Sequence, residues 1–88
     1  MTKLVLNGMG RGQLTGPATA YVAGELRAER ARQGLTIDEL AERSGVAKTT
    51  VNRALKGDTA LAVEVLIPLC AALRIDLGQL LNEAARRR

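Results

Sequence analysis

The residues that build most metal sites and nucleophilic sites are almost missing from this chain. Its 88 residues include no histidine and one cysteine, Cys70. The usual zinc sites and histidine-assisted nucleophiles are therefore excluded, and no disulfide can form within the chain. We expect no catalytic residue, no metal and no cofactor. We expect Cys70 to be a small buried hydrophobe in a reducing compartment.

Aromatic residues and long apolar segments are also scarce. Tyr21 is the only aromatic residue, although hydrophobic residues make up 47% of the chain. A core of Leu, Val, Ile and Ala suits packed helices, so this composition favours an all-α domain. The longest apolar segment, 60–73, contains Glu64 and Pro68 and is shorter than the ~20 residues that a membrane span needs. No secretory signal begins the chain, and we expect a soluble, cytoplasmic, single-domain protein.

Charge is unevenly distributed along the sequence. The net charge is +4 and the pI is about 10.0, but residues 1–16 carry +2 and residues 86–88 carry +3. This balance permits a polyanionic partner without proving one, because the excess lies in the tails. We divide the chain into an N-terminal arm at 1–16, a domain at 17–85 and a basic tail at 86–88. The glycine-rich arm is flexible or forms a short strand near 4–6.

Five helices are predicted from apolar spacing and from start and stop signals. Thr36 and Glu39 have the spacing of a capping box, and Gly45 can end the short helix that follows. Thr59 and Asp76 are candidate caps for the last two helices. The predicted spans are about 18–33, 37–43, 48–56, a helix after Thr59 that ends at 73, and a helix that begins after Asp76.

The second and third helices, with a sharp turn at 44–46, have the pattern of a helix-turn-helix. Such a motif places a braced helix in the major groove of duplex DNA. Asn can pair with adenine, Arg with guanine, and Thr can contact thymine. A merely solvated helix face is the alternative interpretation. The residues expected to contact bases are Lys48, Thr49, Thr50, Asn52 and Arg53.

Contacts to the DNA backbone are expected on both sides of the third helix. The free amides at the start of the second helix, at Thr36 and Ile37, would attract a phosphate. Lys56 and Thr59 would contact the backbone beyond the third helix. Further contacts could come from the arm and the tail, although the tail is more readily explained as a solvated terminus; these residues are Lys3, Arg11, Arg86, Arg87 and Arg88.

An apolar stripe on the fifth helix has two interpretations. Leu77, Leu80 and Leu81 could belong to the core of the subunit. They could instead form the seam of a homodimer, at least on DNA, because helix-turn-helix proteins commonly pair across palindromic sites.

The stretch from Arg30 to Leu81 resembles the Cro/CI-like, lambda-repressor-like or XRE-type helix-turn-helix domains. The resemblance implies a compact five-helix domain that inserts its third helix into the major groove and usually represses transcription. Ile37, Ala47 and Leu55 depart from residues common in the family, where a polar backbone contact, a hydroxyl cap and a Glu partner for Arg30 are frequent. The residues that carry the resemblance are Arg30, Gly34, Leu35, Thr36, Leu40, Ala41, Ser44, Gly45, Val46, Thr50, Val51, Gly57, Ala71, Ala72 and Leu73.

We therefore expect a regulator that binds double-stranded operator DNA, such as a phage or bacterial Cro-like repressor in a bacterial cytoplasm. No small-molecule effector is expected. The alternative is a protein-interaction module on the same fold, such as an antitoxin or a transcriptional bridging factor. An enzyme is not expected, because the glycines at 8–12 lack the spacing of a dinucleotide or phosphate loop.

Overall fold

The computed structural model describes residues 13–14, 16–57 and 60–86. Within them the chain forms five helices and a two-stranded ladder, which confirms the predicted all-α class. No helix in these ranges is long and apolar enough to cross a membrane. In chain order the elements are β1 (Gln13–Leu14), α1 (Pro17–Gln33), α2 (Ile37–Ser44), α3 (Lys48–Lys56), β2 (Leu61–Ala62), α4 (Val63–Leu73) and α5 (Leu77–Arg86).

The helix boundaries follow the local signals in the sequence. Pro17 begins α1, where its missing N–H costs nothing. Gly34, Gly45 and Gly57 end α1, α2 and α3 in the left-handed conformation. At the start of α5 the backbone N–H of Gln79 donates to Asp76 Oδ1 at 3.1 Å, as predicted for a cap.

One continuous core joins the five helices. α1 packs against α3 and α5, while α2 packs against α3 and α4. Leucines fill most of this space, because leucine is more frequent in the chain than valine and isoleucine together and Tyr21 is the single aromatic residue. The largest fully buried side chains are Leu14, Leu26, Leu40, Leu66, Leu69, Leu73, Val22, Val51 and Cys70.

The end of the predicted arm belongs to the folded domain, which corrects the assignment of residues 13–14. Leu14 is 1% exposed and pairs with Leu61 in the antiparallel ladder between β1 and β2. The buried hydroxyl of Thr19 donates to the carbonyl of Leu14 at 3.1 Å. Two interactions therefore hold this segment against the connection between α3 and α4. The side chain of Leu14 is buried, and its carbonyl accepts a hydrogen bond. The strand predicted near 4–6 lies outside the described residues.

Two further boundaries differ from the prediction. The helix expected after Thr59 begins only at Val63, since 61–62 are extended, and its N-cap is Ala62 without a side-chain hydrogen bond. Thr59 itself lies outside the described residues. Arg86, assigned to the tail, is the last residue of α5 and pairs with Glu83 at 3.7 Å.

Candidate nucleic-acid interface

The turn between α2 and α3 is held by hydrogen bonds and by one apolar contact. Gly45 ends α2 with φ 77°, and its N–H donates to the carbonyl of Ala41 at 2.9 Å. The hydroxyl of Ser44 accepts from the backbone N–H of Val46 at 3.2 Å. Val46 then packs, half-buried, against the core. These contacts fix the angle at which α3 is presented.

α3 separates its two faces cleanly. Val51, Ala54 and Leu55 are at most 5% exposed and anchor the helix on the core. The opposite side chains are exposed except that of Thr50, which is half-buried. We call this surface the recognition face; it consists of Lys48, Thr49, Thr50, Asn52 and Arg53. The structure thus brings together all five residues that were predicted to read bases.

A shallow groove runs beside the recognition face toward β2. It has a volume of about 190 Å³ and is lined on one side by Thr50 and Arg53. The other side is formed by 60–62 and Val65. Thr50 therefore points toward the connection between α3 and α4, at the edge of the recognition face.

The N-terminus of α2 is capped as predicted, and the cap changes which amides are free. Glu39 N–H donates to Thr36 Oγ1 at 3.0 Å, and Thr36 N–H donates to Glu39 Oε1 at 2.8 Å. The amide of Thr36 is thus used inside the protein, contrary to the expectation that it is free for a phosphate. Ile37, the other predicted donor, is half-buried and is the first residue of α2, so its backbone N–H has no acceptor within the helix and its contact with a phosphate stays a prediction.

An ion pair that sequence reasoning missed joins the starts of α2 and α3. Lys48 Nζ lies 2.8 Å from Asp38 Oδ1, and both side chains are more than half exposed, at 58% and 72%. Such exposed pairs contribute about 0–1 kcal/mol, so Lys48 remains able to exchange this partner for DNA. Asp38 lies ten residues before Lys48, and only the angle between the helices brings the two together.

Arg30 has no carboxylate partner among the described residues. Its guanidinium donates instead to the backbone carbonyl of Leu35. Arg27, one turn earlier, donates from Nη1 to the carbonyl of Leu55 at 2.6 Å. Both guanidinium groups are therefore fixed by neutral carbonyls, and neither forms an ion pair within the described residues.

The remaining predicted contacts divide into three groups. Lys56 is exposed at the end of α3. Lys3, Arg11, Arg87 and Arg88 lie outside the described residues, as does Thr59. On α5, Leu80 is buried in the core of the subunit, whereas Leu77 and Leu81 pack against that core and stay half-exposed.

Cys70 is buried, as expected from its apolar surroundings. It is 1% exposed, and burial raises the pKa of its thiol to about 11. Few thiolates then exist near neutral pH, so the side chain is unreactive and acts as a small hydrophobe. Within the described residues no group of three or more His, Cys, Asp or Glu side chains could hold a metal ion.

Comparison with known proteins agrees with this geometry. A family model described as helix-turn-helix matches residues 26–80. The crystal structure of the clp gene regulator ClgR from C. glutamicum is similar, with a TM-score of 0.66 and 32% sequence identity over 77% of this chain and 87% of that chain. A search of proteins with curated descriptions finds no significant match.

The fold and the exposed third helix define a helix-turn-helix protein. The chain belongs to the XRE-type, lambda-repressor-like helix-turn-helix family. Membership places it among DNA-binding transcription regulators. The matched range includes the whole of α2, α3 and α4, the end of α1 and the start of α5.

Proposed function

We propose that the protein is a sequence-specific regulator that inserts α3 into the major groove of an operator and represses transcription, in the manner of a phage or bacterial Cro-like repressor. The observation that carries this proposal is the recognition face, whose polar side chains are exposed on a helix fixed by three buried residues. Repression follows when the bound protein occupies promoter DNA that RNA polymerase needs. This function is carried out in the cytoplasm of the bacterium or of the infected host.

Base readout is assigned to side chains at helical spacing on the recognition face. Arg53 can donate two hydrogen bonds to guanine, and Asn52 can both donate to and accept from adenine. Thr49 offers a hydroxyl and a methyl group, which suits thymine. Thr50 reads from the edge of the face, and Lys48 reaches a base or a phosphate after leaving Asp38.

The protein binds DNA as a homodimer in this proposal. Leu77 and Leu81 stay half-exposed on α5, and Ile67 on α4 is 54% exposed, which is unusual for a large apolar side chain. Leu80 is excluded from the seam because it is buried within its own subunit. Sedimentation at micromolar concentration with and without DNA tests the dimer, and a single half-site bound by a monomer would refute it.

Salt titration of DNA binding tests the proposed function. A regulator that neutralises several phosphates loses affinity steeply between about 50 and 200 mM salt, because bound counterions are released from the duplex. Fluorescence anisotropy with a selected duplex and a shuffled duplex gives both the salt slope and the sequence preference. We expect a steep slope on both duplexes and tighter binding to the selected one. A flat response, or no binding, contradicts the proposal and favours a protein-interaction module.

A further inference from the structure

A cleft beside the recognition face is rich in cations. It lies between the second half of α1, the start of α2 and the end of α3, and its volume is about 400 Å³. Its lining contains three cationic side chains and no carboxylate. We call it the arginine cleft; it is lined by Arg27, Arg30, Ile37, Asn52, Leu55 and Lys56.

Contacts with the backbone hold the two arginines in place without neutralising them. Arg27 donates to the carbonyl of Leu55 at 2.6 Å, and Arg30 donates to the carbonyl of Leu35. A guanidinium has five N–H donors, so most of those on Arg27 are left for a ligand. The Nε of Arg30 is buried without a hydrogen-bond partner within the described residues. A buried positive group of this kind is stabilised when an anion approaches.

The start of α2 is by itself a poor phosphate site in this chain. The amide of Thr36 is bonded to Glu39, and the side chain of Ile37 adds no donor to the backbone N–H groups of the first turn. Asp38 and Glu39 add two negative charges in the first turn, which oppose the positive end of the helix dipole. The cationic side chains that could hold a phosphate lie across the cleft, on α1 and α3.

We propose that the arginine cleft receives a phosphate of the DNA backbone, with Arg27 as its direct donor and Arg30 as a fixed positive charge behind it. This inference rests on the proposed function. Asn52 and Lys56 lie in the cleft wall and also on the side of α3 that carries the recognition face, so a strand contacted by that face passes the opening of the cleft. Arg27 thus supplies a charged donor in the same cleft wall as Ile37, whose side chain has no polar atom.

The test is the salt slope of DNA binding for Arg27→Gln, with Arg32→Gln as the matched control. Both variants remove one positive charge from α1, but Arg32 pairs with Glu29 and is not part of the cleft. We expect Arg27→Gln to lower the magnitude of the slope by about one and to weaken selected and shuffled duplexes alike. We expect Arg32→Gln to leave the slope within error of the unsubstituted protein. An unchanged slope for Arg27→Gln overturns the inference.

Two further measurements separate the other outcomes. If the unsubstituted protein binds no duplex, the proposed function has failed; if it binds and only the effect of Arg27→Gln is missing, the inference alone has failed.

A titration with inorganic phosphate tests whether the cleft binds a free phosphate ion instead of a phosphate of DNA. Binding is followed through the Nε–Hε NMR signals of the arginines. Suppose that phosphate shifts these signals saturably while Arg27→Gln leaves the salt slope of DNA binding unchanged. The cleft would then bind free phosphate, and the assignment to DNA would be overturned. The thermal unfolding midpoint of Arg27→Gln must stay close to that of Arg32→Gln; otherwise Arg27→Met, which also removes the charge but keeps a long apolar side chain, replaces it.

Discussion

At the scale of single residues, Arg53 and Lys56 are expected to contribute to binding in different ways. Arg53 lies within the recognition face, whereas Lys56 lies at the end of α3 beside the arginine cleft. We expect Arg53→Ala to cost ~1–3 kcal/mol on the selected site and to relax base preference. Lys56→Ala should weaken all sequences about equally and lower the salt slope by about one. Anisotropy on selected and shuffled duplexes measures both, and equal losses for Arg53→Ala would remove it from the base-reading residues.

Gly57 combines two constraints on one residue. Its φ is +75°, and a Cβ added there would lie 2.6 Å from the Cβ of Ala23 on α1. Gly45 has nearly the same φ, +77°, but a Cβ there meets nothing within 4 Å. Only Gly57 therefore carries a packing constraint in addition to the backbone one.

We expect Gly57→Ala to destabilise the protein by about 2–4 kcal/mol, the sum of left-handed strain and a clash with the Cβ of Ala23. Gly45→Ala should cost about 1–2 kcal/mol from strain alone. Urea denaturation of both variants measures the difference. Equal losses would show that the approach of α3 to α1 does not constrain residue 57.

At the scale of elements, α2 depends on its capping box. We expect Thr36→Ala to destabilise the protein by about 1 kcal/mol, because the amide of Glu39 loses its acceptor. Thr49→Ala, which removes a hydroxyl from an exposed position inside α3, is the control and should stay within about 0.5 kcal/mol. Thermal unfolding followed by circular dichroism compares the two, and a cap effect no larger than the control would contradict this account.

Elements whose signals are local were predictable from the sequence. α3 was predicted at its observed bounds and α2 within one residue, since Thr36, Gly45 and Gly57 act on the backbone next to them. The separation of faces on α3 followed from a period of 3.6 residues. The start of α4 was placed too early, because the extended backbone at 61–62 depends on pairing with a distant segment.

The parts of the site that the sequence did not reveal come from distant contacts. Asp38 reaches Lys48 across the turn, and Arg27 reaches the carbonyl of Leu55 in another helix. Neither partner is marked by a motif, because each depends on how two helices pack. The residues expected to read bases lie on a single helix, which is why they could be grouped in advance.

At the scale of the whole molecule, the ladder between β1 and β2 connects the start of the described chain to the segment beside the recognition face. We expect Leu14→Ala to destabilise the protein by about 2–5 kcal/mol, the usual cost of emptying a fully buried leucine site. In protein dilute enough to be monomeric, Ile67→Ala, at a position 54% exposed, should cost under about 1 kcal/mol. Chemical denaturation checks both, and similar losses would mean that residues 13–14 are not part of the cooperative core.

The central claim is that duplex DNA is bound by α3 and the surfaces that flank it. The most direct measurement is a titration of the ¹⁵N-labelled protein with a selected duplex, followed by amide chemical shifts. We predict that the largest changes fall on residues 48–56, with others at the start of α2 and on the Arg27 side chain. Changes confined to α4 and α5, with α3 unaffected, would contradict the account.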